Sequence, residues 1–87
     1  MYVILVYDFG EKRVNKMLKL CRKYLNWIQN SVFEGEISEA RLRELIMQSE
    51  KFIDKTEDSI IIFSGHSQKA LDKTIIGKER SNIDIFL

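Results

Sequence analysis

The chain has 87 residues, of which 45% are hydrophobic and 31% charged, with one cysteine and no proline. This length leaves room for a single domain with a modest core, and the lone Cys21 excludes an intrachain disulfide. The longest apolar runs fall far short of the roughly 20 residues that span a bilayer, and the first residues, MYVILVY, lack signal-peptide features. We therefore expect a cytoplasmic protein without a membrane segment.

Basic residues are concentrated near the start of the chain. Residues 1–25 contain six Lys and Arg against two acidic residues, Asp8 and Glu11, a surplus of four positive charges. Because the whole chain has a formal net charge of +1, the remainder carries three net negative charges. A positive surface that meets phosphate and an ordinary solvated helix face both fit this asymmetry.

The first predicted elements are a strand and a helix. Residues 2–7, YVILVY, form a continuous β-branched and aromatic run, which predicts a strand at the centre of a sheet. The strand ends at Asp8-Phe9-Gly10, and apolar residues at helical spacing then predict a helix over residues 11–24. Lysines occupy the other side of this helix, namely Lys12, Lys16, Lys19 and Lys23.

The middle of the chain predicts two short strands or one bent strand, followed by a second helix. Residues 27–37 are rich in β-prone side chains, with a possible bend at residues 29–31 and a possible bulge at Gly35. Ser38 is suited to cap a helix, Glu39 lies in the positive first turn, and an apolar stripe continues to residue 53. We expect this helix to end near Phe52.

A last core strand over residues 59–63 completes the order βαββαβ. Two helices on one face of an antiparallel sheet form the ferredoxin-like arrangement, an α+β fold. We expect one domain over residues 1–87, with the core in residues 1–64 and a tail in residues 65–87. The tail has two strand-like pieces, residues 74–76 and 83–87, and such a surplus strand is suited to join the sheet edge of another protomer.

Asp8 is the first candidate for chemistry, because it directly follows the predicted central strand. A carboxylate in that position is held by a rigid element and projects from the end of the sheet, which suits metal binding. A helix N-cap or turn aspartate is the alternative interpretation, and it is the commoner role of an Asp-x-Gly after a strand.

Three segments resemble the CRISPR-associated Cas-two family in order and spacing. They are YVILVYD at residues 2–8, IQNSVFEGEI at residues 28–37 and EDSIIIF at residues 57–63. The middle segment is the most specific, and the resemblance covers residues 1–64, while the tail matches only in character. The family is the small dimeric subunit of CRISPR spacer acquisition, a nucleic-acid-binding protein and candidate nuclease.

The resemblance implies a two-fold homodimer in which the C-terminal strand crosses to the partner and the two copies of Asp8 face each other. One carboxylate is a poor site for Mg²⁺ or Mn²⁺ and two symmetry-related ones are adequate, so Asp8 from both protomers is the expected metal ligand and catalytic residue. Such a site implies hydrolysis of single-stranded RNA or double-stranded DNA. The resemblance also implies a Cas-one integrase as partner.

Further residues gain expected roles from the resemblance. Arg13 is similar to an arginine proposed to contact phosphate, and Lys12, Lys16 and Lys19 would extend that surface. Ser31 and Phe33 resemble residues near the active site of the family, although a turn hydroxyl and core packing are their alternative interpretations. His66, the only histidine, is not an obvious general base, since a loop histidine is more often a surface residue than a catalyst.

The chain departs from the family pattern at two places. Trp27 stands where many relatives have a basic residue, so this chain either lacks a nucleic-acid contact there or replaces it with stacking. Phe9-Gly10 replaces a stretch that usually contains a polar or acidic pair, which predicts weaker metal binding.

Several functions remain open from the sequence. The first is a Mg²⁺-dependent endonuclease, and the second is an architectural subunit that bridges integrase copies and supports a DNA duplex without cutting it. The third is a VapD-like toxin ribonuclease, since toxins of that type look similar in their strand, aspartate and dimer. A regulatory module for a small ligand is a fourth possibility, but the sequence has no glycine-rich or clustered polar signature for it.

Overall fold

The computed structural model describes residues 1–71 and 74–78. Its strands form one antiparallel sheet in the order β2-β3-β1-β4, and two helices pack against it, so the predicted ferredoxin-like α+β arrangement is confirmed. The elements are β1 (Tyr2–Asp8), α1 (Val14–Arg22), β2 (Asn26–Gln29), β3 (Val32–Glu36), α2 (Glu39–Glu50) and β4 (Ser59–Gly65), followed by a 3-10 turn (Gln68–Ala70).

Strand β1 lies at the centre of the sheet, between β3 and β4, as its unbroken apolar run predicts. Successive side chains of a strand point to opposite faces, and Val3, Leu5 and Tyr7 are buried in the core beneath the helices. The other side of the sheet, here called the open face, is opposite to both helices. On β1, β3 and β4 it contains Ile4, Val6, Asp8, Val32, Ile61 and Phe63.

Both helices are slightly shorter than predicted. Helix α1 begins at Val14 rather than at residue 11, because residues 11–13 form a turn. Helix α2 begins as predicted: the Ser38 hydroxyl accepts a hydrogen bond from the Arg41 amide (3.1 Å). It ends at Glu50, two residues before the predicted end.

The segment between the helices is a β-hairpin rather than one bent strand. Its turn contains Asn30 with φ of 43°, a left-handed conformation that asparagine tolerates better than most residues. The predicted bulge at Gly35 is wrong, because Gly35 pairs regularly with Val3. A Cβ at Gly35 would lie 3.3 Å from a Leu25 methyl group, so close packing explains this glycine. The ladder irregularity lies in β2, between Trp27 and Gln29.

Residues 74–76 of the tail lie close to the open face. Residues 74–76 do not form a strand in this chain, and they line a pocket of about 360 Å³ together with Ile4, Ile28 and Val32. Ile76 nevertheless remains 94% exposed. The second predicted tail strand, residues 83–87, lies outside the described residues. Within the described ranges, no helix has the length and apolar character needed to cross a bilayer.

Candidate functional site

Asp8 is the last residue of β1, where it pairs with Ser59 of β4. Its side chain is exposed on the open face, and among the described residues its carboxylate has no hydrogen-bond or ion-pair partner. The helix N-cap interpretation of Asp8 is wrong, because the N-cap residue of α1 is Arg13. A rigid central strand therefore presents a solvated carboxylate at the end of the sheet.

Two serines lie near Asp8: Ser59 on β4, and Ser31 in the turn between β2 and β3. The Ser31 carbonyl accepts a hydrogen bond from the Tyr7 amide (3.1 Å), which places Ser31 beside the end of β1. Ser59 is the direct partner of Asp8, and the Cβ atoms of such a pair are about 5 Å apart. Sequence analysis did not single out Ser59, because its place beside Asp8 depends on the pairing register of β1 with β4.

The described residues of one copy do not gather a set of protein ligands for a divalent ion around Asp8. In residues 1–71 and 74–78 no three His, Cys, Asp or Glu side chains form a group able to bind a metal. Mg²⁺ prefers six oxygen ligands and retains several waters, so two Asp8 carboxylates from two copies would suffice. The donor chemistry thus fits the ion only if the open faces of two copies meet.

Phe33 belongs to the core and lies on the face opposite to Asp8. It is fully buried, and its ring packs on Tyr7 with centroids 6.2 Å apart. The alternative interpretation from the sequence, core packing, therefore describes Phe33, and its side chain does not line the surface around Asp8.

His66 lies at the far end of the sheet from Asp8. Strand β4 ends at Gly65, which pairs with Tyr2, six ladder positions from the Asp8–Ser59 pair. Strand geometry makes this separation about 20 Å. His66 instead lines a pocket with Met1 and Glu39, so it cannot serve as a general base for Asp8 of the same protomer.

The predicted basic surface is present on α1 and the preceding turn. Its lysines are all exposed, and it comprises Lys12, Lys16, Lys19 and Lys23. The first turn of α1 contains no acidic residue, and its last turn adds Arg22. Lys16 also lies over the Phe52 ring, with its Nζ 5.8 Å from the ring centroid. This basic surface begins four residues after Asp8.

Arg13 forms an ion pair that the sequence did not predict. Its Nε donates to Asp58 Oδ2 (2.5 Å) and its Nη2 to Asp58 Oδ1 (3.1 Å). Together with the amides of Gly10 and Asp54, these donors hold the pKa of Asp58 well below the ordinary carboxyl range, against the opposing effect of burial. Phosphate binding by Arg13 stays a prediction, but two of its donors are occupied by Asp58.

Trp27 is half-buried and packs against the core. Its indole N–H donates to the Asn30 carbonyl (2.9 Å), so the ring braces the turn of the β-hairpin. This structural role accounts for the tryptophan without stacking on a nucleic acid.

Comparison with known proteins identifies the family. The model of the CRISPR associated protein Cas2 family matches residues 1–73. The chain belongs to the CRISPR-associated Cas2 family. It is 48% identical over 80 residues to the CRISPR-associated endoribonuclease Cas2 of Thermotoga maritima, with 92% of both chains covered. With the protein of the same name from Methanothermobacter thermautotrophicus it shares 42% identity over 86 residues, covering 99% of this chain and 94% of that protein.

Solved Cas2 structures agree with this membership. One described as a crystal structure of Cas2 is 43% identical, covers 93% of this chain and 91% of its own, and has a TM-score of 0.84. The Cas2 of Streptococcus pyogenes, crystallised at pH 6.5, is 28% identical with a TM-score of 0.71, covering 85% of this chain and 99% of its own. The three family-like segments on which the prediction was based therefore identified the family correctly.

Proposed function

We propose that this Cas2 protein is a metal-dependent endonuclease whose active site is completed by homodimerisation through the open face. This proposal is supported mainly by the position of Asp8 at the end of the central strand and on the open face. Its carboxylate is exposed and has no partner among the described residues. Apolar residues share the face with it, and Ile61 and Phe63 are 53% and 54% exposed. Exposed apolar area of this kind favours a second copy as the covering partner.

In this proposal the two copies of Asp8 would together hold one Mg²⁺ or Mn²⁺. The chemistry that such an ion supplies is polarisation of a phosphodiester oxygen and activation of water. The lysines of the basic surface contact backbone phosphates and supply salt-dependent affinity for the nucleic acid. No described side chain of the same protomer is required as nucleophile, which agrees with the remote position of His66.

Single-stranded RNA is the favoured substrate, because the relatives from Thermotoga maritima and Methanothermobacter thermautotrophicus are both named endoribonucleases. Duplex DNA remains the second substrate to compare. The basic surface reads no bases, since exposed lysines contact phosphates rather than base edges.

A second function is favoured by the same basic surface. We infer that the dimer also supports a DNA duplex and bridges copies of a Cas-one integrase in the cytoplasm, a role that needs phosphate contacts but no Asp8 carboxylate. The exposed lysines of α1 and the remote position of His66 support this role. The two functions use different residues, which allows one set of variants to separate them.

The decisive experiment is a cleavage assay titrated with Mg²⁺ and Mn²⁺, on single-stranded RNA and on duplex DNA. Asp8→Asn preserves the shape of the side chain and removes its charge, and Glu11→Gln is the matched control for loss of an exposed carboxylate three residues away. Endonuclease function predicts that Asp8→Asn abolishes metal-dependent cleavage while Glu11→Gln does not. Equal cleavage by wild type and Asp8→Asn would reject the endonuclease and leave the architectural role.

A further inference from the structure

The buried Asp58 carboxylate is the meeting point of two chain segments next to Asp8. Its side chain has no exposed area, and it accepts hydrogen bonds from Arg13, from the Gly10 amide (2.7 Å) and from the Asp54 amide (2.9 Å). Both carboxylate oxygens are thus engaged, and the charge is balanced by the guanidinium. We call Gly10, Arg13 and Asp58 together the clasp.

The clasp closes the β1–β4 ladder just beyond its last pair. Asp8 pairs with Ser59, and the next residues outward are Phe9, just after β1, and Asp58, just before β4. The bond from the Gly10 amide to Asp58 therefore continues the connection between the strands after the ladder stops. The end of a strand frays most readily when nothing follows it, so the clasp restrains the backbone of Asp8 itself.

Phe9 and Gly10, the departure that predicted weaker metal binding, both serve this restraint. Phe9 is 8% exposed, and its ring packs at 5.6 Å from that of Tyr7 and at 6.2 Å from that of Phe52. A Cβ at Gly10 would lie 2.7 Å from Arg13 Nη2 and 3.5 Å from Asp58 Oδ1. A glycine at this position is what lets the guanidinium close over the loop.

We propose that Arg13 and Asp58 are positioning residues for the Asp8 carboxylate, fixing the end of β1 so that the two copies of Asp8 hold a metal ion in a defined geometry. This inference rests on the proposed metal-dependent function. Neither residue touches the reacting atoms, and both act through the backbone of residues 8–10. Partners of this kind orient ligands, and their loss typically costs about 10- to 100-fold in metal affinity or activity.

The test uses three variants of the clasp in the full-length dimer. Asp58→Asn removes the charge, Arg13→Lys keeps the charge but loses the fork geometry, and Gly10→Ala keeps both charges but displaces Arg13. Glu50→Gln is the control, because it removes a surface ion pair (Lys55 Nζ to Glu50 Oε2, 3.8 Å) away from β1. Each protein is measured at a temperature well below its own melting transition.

The first readout is the Kd for Mn²⁺ in the absence of nucleic acid, measured by electron paramagnetic resonance. The second is the change in kcat and, separately, in KM for cleavage of RNA. The clasp variants are expected to raise the Mn²⁺ Kd by about 10-fold or more. We expect kcat to fall and KM to change less than two-fold, with Glu50→Gln resembling wild type in both. Amide exchange at Gly10 should speed up in Asp58→Asn.

Several results would overturn the inference. One is a folded, dimeric Asp58→Asn protein with a Mn²⁺ Kd and kcat within two-fold of wild type. Another is a loss that disappears once the temperature is low enough for complete folding, which would indicate a stability role alone. If Asp58→Asn does not fold, Gly10→Ala and Arg13→Lys decide by the same criteria. Failure of the proposed function looks different, since Asp8→Asn would then also bind Mn²⁺ and cleave like wild type.

Discussion

Asp8 and Ile61 project from the same face of the sheet and are diagonal neighbours across β1 and β4, since Asp8 pairs with Ser59 and Val6 pairs with Ile61. Diagonal neighbours on one face lie about 7–8 Å apart. The carboxylate proposed to bind metal is therefore a close neighbour of an apolar side chain that is 53% exposed. A surface that buries Ile61 against a second copy brings the two copies of Asp8 to the same interface.

The first prediction concerns this interface. Ile61→Asp or Phe63→Asp should weaken the homodimer by about 100-fold, because each copy would bury an unpaired carboxylate. Met47 on α2 is 60% exposed and offers a matched control, so Met47→Asp should leave the dimer unchanged. Sedimentation over a range of protein concentrations measures the effect. A dimer equally stable in all three variants would place the interface elsewhere.

The second prediction concerns the basic surface. A triple variant, Lys12→Glu, Lys16→Glu and Lys19→Glu, should bind nucleic acid more weakly and with a shallower salt dependence. On duplex DNA, the slope of log K against log salt should fall by about 0.9 for each phosphate that the variant no longer neutralises. Fluorescence anisotropy between low and high salt measures this slope. Arg43→Glu on α2 is the control for a charge reversal outside this surface, and an unchanged slope in the triple variant would refute the assignment.

The third prediction is the acid sensitivity of the fold. The folded-state pKa of Asp58 is lowered, mainly by the hydrogen bonds from Arg13, so its contribution to stability is complete above the carboxyl pKa of the unfolded chain, about 4. That contribution is lost as the pH falls below about 4. Urea unfolding at pH 7 and at successively lower pH should show a smaller pH-dependent loss for Asp58→Asn than for wild type. Identical pH profiles for the two proteins would contradict the pairing with Arg13.

The fourth prediction concerns Cys21, which is fully buried and whose pKa is raised by burial to about 12. The native thiol should resist iodoacetamide at pH 8 and react only through unfolding, because both access and thiolate are missing. Above about pH 9 the unfolded chain releases this proton while the folded chain retains it, so stability should decline with rising pH. Rapid alkylation of the native protein would contradict this placement.

The sequence predicted the parts of the fold that local pattern determines. The unbroken run of β1 indicated a central strand, and Ser38 correctly marked the start of α2. The start of α1 was placed three residues early, because Arg13 reaches an acidic partner 45 residues away and residues 11–13 turn to allow it. The prediction for Gly35 was wrong because the close contact at this position comes from Leu25, just before the neighbouring strand β2, which local sequence around Gly35 does not reveal.

The candidate site was only partly predictable. Asp8 was found because it follows a strand and matches a family segment, and the lysines were found by helical spacing. Ser59 and Asp58 were missed, since their nearness to Asp8 depends on the β1–β4 register and on a buried ion pair. Phe33 was predicted near the site from its family-like segment, but strand alternation places its side chain on the face beneath the helices, away from Asp8.

The most direct test of the account is the stoichiometry of Mn²⁺ binding to the purified dimer. A site built from one Asp8 of each copy predicts one ion for every two chains, and it predicts that Asp8→Asn removes this binding while the dimer persists. Electron paramagnetic resonance titration with sedimentation of the same samples measures both quantities. One ion per chain, or unchanged binding in Asp8→Asn, would contradict the convergence of the two carboxylates.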